Sequence, residues 1–135
     1  MSVNDTYSYI SNIKIEAVLR DKPLYSELVT KRVIKPVIKG FLNELPIWFY
    51  TGVRGDYVLV SRVYCSCKDY IINIMSRKSK KSCKHLIIQK LAEETNEYRV
   101  VEVEDLDTLY KIVREILEIG ISPTLRGLLH RSKVV

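Results

Sequence analysis

The feature that most constrains this chain is a pair of short couplets, Cys65-Ser-Cys67 and Cys83-Lys-His85, which together use every cysteine in its 135 residues. Residues two apart on a strand project from one face, so the first couplet can offer two thiolates to one ion. The second couplet stands where an apolar helical pattern begins, with Ser82 as the expected N-cap. Its ligands then fall in a first turn whose unpaired N–H groups favour thiolate over thiol. Fifteen residues lie between Cys67 and Cys83, room for a strand and a loop that return the second couplet to the first. Three sulfurs and an imidazole make a closed Cys3His shell, a standard donor set for structural zinc. We therefore expect one structural Zn2+ held by Cys65, Cys67, Cys83 and His85. The competing reading, three cysteines packed as small hydrophobes, leaves the matched spacing unexplained. His130 has no partner at ligand spacing and is expected on the surface.

Around the couplets the chain reads as one α+β domain over 1–135. The expected architecture is a small antiparallel β-hairpin or sheet with the zinc site joined to a helix, flanked by N- and C-terminal helices. Asp5–Leu19 and Leu24–Leu42 carry apolar residues at helical spacing, the second interrupted by Pro36, so 1–45 is expected to be helical. Pro46–Thr51 and Tyr57–Tyr64 are aromatic and β-branched, and Gly52–Asp56 supplies turn chemistry between them, which predicts a hairpin. Tyr70–Met75 reads as a third strand and Cys83–Thr95 as a helix, completing a finger over 46–95. In 96–135, Tyr98–Val103 alternates as a strand. Asp105 should cap a helix with Leu106, Leu109, Tyr110, Val113, Ile116 and Leu117 on one face and Gly120 as its stop, and Ser122-Pro123 should start a last helix.

Charge is distributed unevenly. From Arg62 to Lys90 eight basic residues face one acid, a net +7, whereas Glu93 to Glu118 holds nine acids against three basic residues, a net −6. Arg77, Lys78, Lys80, Lys81 and Lys84, with Lys68 nearby, form a cluster that can track phosphates, and we expect it to contact nucleic acid. The bland alternative is a solvated loop. Trp48, Phe49 and Tyr50 are potential stacking platforms, but consecutive strand residues face opposite sides and core packing is the stronger expectation. Gly52-Val-Arg-Gly55 resembles a short phosphate-gripping loop, although the hairpin turn alone accounts for it.

The pattern Cys-x-Cys, spacer, Cys-x-His, carried here by Cys65, Cys67, Cys83 and His85, resembles the SWIM-type zinc finger. The stretch Cys65–Met75 with Cys83–Ile88 is similar to the SWIM subunit of Shu-type recombination assemblies, including archaeal members. Ile88 stands where that subfamily carries alanine. The resemblance implies a non-catalytic accessory of homologous recombination and DNA repair that pairs with a RadA-like recombinase paralogue; the cationic cluster adds DNA, single-stranded or as recombination intermediates, as a further or alternative expected partner. The alternative is a zinc-stabilised protein-interaction module without DNA binding, for which the apolar helices 105–119 and 123–130 offer a surface.

Enzyme chemistry finds little footing. The chain shows no Cys-x-x-Cys redox motif, no phosphate-binding loop of the nucleotide-hydrolase kind, no metallohydrolase His-Glu pair and no nucleophile with an adjacent base, so no small-molecule substrate is expected. No apolar run approaches the ~20 residues that span a bilayer, and the N-terminus lacks a basic leader. A cytoplasmic or nucleoid-associated protein without a membrane partner is the resulting expectation.

Overall fold

A computed structural model describes residues 3–14, 16, 20–41 and 44–131. In chain order these form α1 (Val3–Ser11), α2 (Lys22–Val29), β1 (Val33–Ile38), β2 (Ile47–Thr51), β3 (Asp56–Val60), β4 (Tyr64–Cys65), a π-helical segment (Tyr70–Ser76), α3 (Lys84–Thr95), β5 (Arg99–Val103), α4 (Leu106–Ile119) and α5 (Pro123–Arg131). The fold is α+β: one five-stranded sheet in the order β4-β3-β2-β1-β5, with helices on both faces. Neighbouring strands run antiparallel except β1 and β5, which are parallel. Among the described residues no helix is long and apolar enough to cross a membrane.

The hairpin forms in the expected place, with Trp48 opposite Leu59, Phe49 opposite Val58 and Tyr50 opposite Tyr57. Trp48 and Tyr50 enter one core and Phe49 the other. All three rings are buried, so none offers a platform for bases. One core lies under α1, α2, the π-helical segment and α3, and it contains Ile10, Leu28, Leu59, Leu86, Leu91 and the three cysteines. The other lies under α4 and α5, built on Ile34, Val58, Val101, Val103, Ile112 and Leu125.

Three expected elements differ. Of the helix expected over Asp5–Leu19, α1 ends at Ser11 and Asn12 to Lys14 leave the helix, while Glu16 is helical and Ile15 and Ala17–Leu19 lie outside the described residues. The helix expected over Leu24–Leu42 stops at Val29, where the Thr30 hydroxyl donates to the Ser26 carbonyl at 2.9 Å and Lys31 turns the chain at φ 54°. The chain then enters β1 in place of a kinked helix. Val33 and Ile34 are buried on opposite faces of the sheet, and a strand covered on both sides has no alternating pattern by which to be told from a helix. Pro36 is tolerated because pairing to β2 ends at Ile34, while Pro36 stays in parallel register with Val101; a proline costs no ladder bond where no donor is required.

The third difference is Tyr70–Met75, expected as a strand and found as a wide π-helical segment whose Arg77 N–H donates to the Ile72 carbonyl at 2.9 Å. It buries Tyr70 and Ile74, four residues apart, and leaves Ile71, Ile72 and Met75 exposed. That is helical, not alternating, burial. The third strand of the meander is instead the two-residue β4, in which Cys65 pairs with Leu59.

The C-terminal expectations hold at their caps. Asp105 Oδ1 accepts from the Thr108 N–H at 2.9 Å, Gly120 ends α4 at φ 81°, and Ser122 Oγ accepts from the Leu125 N–H at 3.0 Å. On α4, however, the buried residues are Leu109, Ile112 and Ile116, whereas Leu106, Tyr110 and Leu117 stay exposed. Ile88 is fully buried in the metal-side core.

An ion pair with a buried carboxylate locks the hairpin turn to the α4–α5 corner. Asp56 receives the Arg126 guanidinium, closest approach 2.7 Å, and the Ser122 N–H at 2.9 Å, while the Asp56 N–H donates to the Gly120 carbonyl at 2.8 Å. Gly55, at φ 152°, passes so close that a Cβ there would meet the Gly120 oxygen at 2.7 Å.

Candidate metal centre

Cys65, Cys67, Cys83 and His85 converge, all buried, with their ligand atoms within 4.8 Å of one another. A single ion can therefore touch all four, and this is the set expected from spacing. Cys65 arrives on β4, which the turn through Arg62 (φ 67°) folds back on β3. Between the first two cysteines, Ser66 binds β3 twice: its hydroxyl accepts from the Val58 N–H at 2.9 Å and its own N–H donates to the Val58 carbonyl at 3.0 Å. Held there, Ser66 leaves both flanking thiols to the centre. Cys67 lies three residues before the π-helical segment, and its sulfur accepts the Tyr70 N–H at 3.3 Å. The Tyr70 hydroxyl donates to the Val63 carbonyl, closing the segment over the turn before β4.

The second couplet enters from α3. The N-cap is Cys83 itself, in extended conformation, not Ser82 as expected. Its sulfur thus sits at the positive end of the helix, but the neighbouring Cys67 sulfur and burial outweigh that end and push the Cys83 thiol up to about 12. His85 lies in the first turn and brings Nδ1 to 3.7 Å from Cys65 Sγ. Tyr50 and Tyr57 hold its imidazole, with ring centroids at 4.6 and 4.5 Å. These two tyrosines face each other across the hairpin, so the cross-strand pair sets the histidine's orientation.

The sulfurs are electrostatically coupled. Hydrogen bonds from the Cys65 and Cys83 thiols hold Cys67 well below the ordinary thiol range, whereas burial pushes Cys65 up. A cation among the three sulfurs is what would let them ionise together. Burial, with the nearby Cys67 and Cys65 sulfurs, also raises Tyr57.

The expected cationic cluster divides into separate positions. Lys68, Lys80 and Lys84 line a groove beside the metal tetrad. Lys80 pairs with Asp69 at 3.1 Å and Lys84 with Glu27 at 3.1 Å. Lys81 instead lies over the Tyr9 ring at 5.9 Å and faces a different hollow with Asp5 and Asn12. Arg77 and Lys78 are exposed on the loop that the Asn73 carbonyl ties down through the Ser79 and Lys80 N–H groups. His130 is exposed on α5, as expected.

Sequence reasoning passed over Tyr50 and Tyr57 as supports for His85. Their signal was alternation: on a paired hairpin, Tyr50 and Tyr57 share the face that also carries Trp48 and Leu59. It missed Arg32, and weighed Arg54 only within the short phosphate-gripping loop that the hairpin turn accounted for; the fold brings both to the groove beside the tetrad. Compared with protein-family models, curated proteins and solved structures, the chain matches none.

Proposed function

We propose that the protein is a zinc-stabilised, non-catalytic accessory of homologous recombination and DNA repair, contacting nucleic acid and a RadA-like recombinase paralogue. The observation that carries this reading is the buried Cys3His tetrad with exposed cations around it. Tetrahedral zinc with sulfur at ~2.3 Å and nitrogen at ~2.0–2.1 Å requires sulfur–nitrogen separations of about 3.6 Å; Cys65 Sγ and His85 Nδ1 lie 3.7 Å apart. Thiolates and imidazole suit zinc better than the oxygen-seeking divalent ions. When bound, the ion would cross-link β4, the residues leading into the π-helical segment and the first turn of α3. Four protein ligands fill its coordination sphere, so it serves as a staple and not as an activator of water.

Support for nucleic acid comes from Lys68, Arg77, Lys78, Lys80, Lys81 and Lys84, all exposed and all within reach of the stapled segment. Recombination and the RadA-like partner rest on the resemblance of the couplets and the segment between them to SWIM subunits. A cytoplasmic or nucleoid-associated location goes with that reading. Elemental analysis of the purified protein should find one zinc per chain, and fluorescence anisotropy should find DNA binding that weakens with salt, log K falling about 0.9 per neutralised phosphate for each tenfold rise in salt. Absence of binding at 50 mM salt would remove the nucleic-acid half. Co-purification with a RadA-type ATPase tests the other half.

The second reading, a protein-interaction module, is favoured by α4. Leu106, Tyr110 and Leu117 are 65%, 62% and 58% exposed, which is unusual clustering for large apolar residues on one helix. An unrelated partner in the pull-down, with no affinity for DNA, would select this reading.

A further inference from the structure

The groove over the tetrad has a volume of about 1040 Å³ and gathers residues that are remote in sequence. Arg32 comes from the turn between α2 and β1, Gly52, Val53 and Arg54 from the hairpin turn, Lys68 from just before the π-helical segment, and Ser82 to Lys84 from the beginning of α3. Its three acids are already engaged: Glu27 with Lys84, Asp69 with Lys80, and Asp56 with Arg126. Arg32, Arg54 and Lys68 have no carboxylate partner among the described residues. The Arg32 Nε donates a 3.3 Å hydrogen bond to the Thr30 hydroxyl. Three positive charges are thus left uncompensated around one concavity.

Two further observations point into the same groove. The N-terminus of α3, twelve residues long, opens onto it through Ser82, Cys83 and Lys84, adding the partial positive charge of the helix end. The Tyr50 side chain lines the groove, yet its hydroxyl is buried without a hydrogen bond. A buried hydroxyl without a partner is costly, and an anionic oxygen entering the groove would give it one. Converging arginines, a helix N-terminus and a waiting hydroxyl donor match the needs of phosphate oxygens.

We propose that this groove, framed by Arg32, Arg54, Lys68 and the start of α3, is a phosphate-binding cleft that seats the backbone of a single nucleic-acid strand. The cleft rests on the nucleic-acid reading and moves its centre from the exposed Arg77-to-Lys81 loop to the concave face. A cleft admits a single chain, whereas a duplex presents a broad cylinder that suits a flatter surface. Gly52-Val53-Arg54-Gly55, which the hairpin turn was enough to explain, then has a second role as one wall.

The test uses the whole, metal-loaded chain and labelled oligo(dT) in fluorescence anisotropy. Arg32→Gln with Arg54→Gln is compared with Arg77→Gln with Lys78→Gln, and circular dichroism and metal content verify that both variants fold. Loss of two phosphate contacts should lower the salt slope by about 1.4 on a single strand and weaken binding about tenfold at 50 mM salt for the groove variant, with a smaller change for the loop variant. In the wild type, the amide resonances of residues 52–54 and 82–84 should shift on adding oligo(dT). If the loop variant loses binding while the groove variant keeps it, the cleft is overturned and the nucleic-acid reading stands. If the wild type binds no nucleic acid at 50 mM salt, both fall. Equal affinity for duplex DNA would overturn the single-strand assignment. Competition by poly-glutamate as effective as by oligo(dT) would overturn the nucleic-acid ligand in favour of an acidic peptide.

Discussion

Arg126 and Asp56 are unequal partners, and the difference decides which can be removed. The Asp56 side chain is fully buried, whereas that of Arg126 is 42% exposed. Taking away the arginine strands a carboxylate in the interior; taking away the carboxylate leaves a guanidinium that water can still reach. Arg126→Met should therefore cost more stability than Asp56→Asn, about 3 kcal/mol against less than half of that, and urea denaturation of the two variants checks the order. Tyr57 is a second case of one residue acting through another. Its ring lies 4.5 Å from that of His85, so Tyr57→Ala should leave all four ligands in place but loosen the imidazole. Metal affinity should fall roughly tenfold, as is usual when the support of a ligand is lost, measured by competition with a chromophoric chelator.

Turns and helix ends carry the junction between the hairpin and the C-terminal helices. At Gly55 both the backbone angle and the lack of space forbid a side chain. Gly55→Ala should destabilise by about 1–3 kcal/mol, read as a lower midpoint in thermal denaturation. Glu115 serves the α4–α5 corner: it accepts from the Ser122 hydroxyl at 2.7 Å and from the Thr124 N–H and hydroxyl. Although burial opposes ionisation, these donors hold its carboxyl below the usual value of 4.5. A lowered folded-state pKa contributes stability that is present above pH 4.5 and is lost as pH falls through the folded value. Glu115→Gln should thus lower stability at pH 7, and its deficit relative to the wild type should shrink steadily below pH 4.5, as followed by urea midpoints across pH. The same two helices show how far an element is legible without the fold. Their caps, Asp105, Gly120 and Ser122, are local hydrogen-bond chemistry and were readable; which stripe of α4 turns inward was not, because the helix is apolar on more than one side and only the sheet chooses.

Across the molecule, the two cores share their strands. Because β2 sends Trp48 and Tyr50 to one layer and Phe49 to the other, disorder on the metal side propagates through the same backbone to the far side. A structural zinc contributes about 10–16 kcal/mol apparent, comparable to the ~5–15 kcal/mol of a whole domain. With the proposed zinc in the tetrad, strong chelation, or Cys67→Ser, should abolish a single cooperative transition, with amide protection lost in α4 as well as in α3. Protection surviving in α4 after chelation would show that the far layer holds by itself.

The order of residues along the chain was enough for the metal tetrad, the hairpin, α3 and the caps of the C-terminal helices, because in each the governing interactions lie within a few residues or are signalled by a rare donor type at fixed spacing. Packing in three dimensions was needed to make 33–38 a strand and Tyr70–Ser76 a π-helical segment, and to bring Arg32 and Arg54 into one groove with Lys68. A strand buried on both faces has no periodicity to betray it. The Cys67–Tyr70 hydrogen bond and the burial of Tyr70 and Ile74 belong to a turn shaped around the tetrad. Charges that meet only when α2, the hairpin turn and the start of α3 pack together leave no mark on the linear order of the chain.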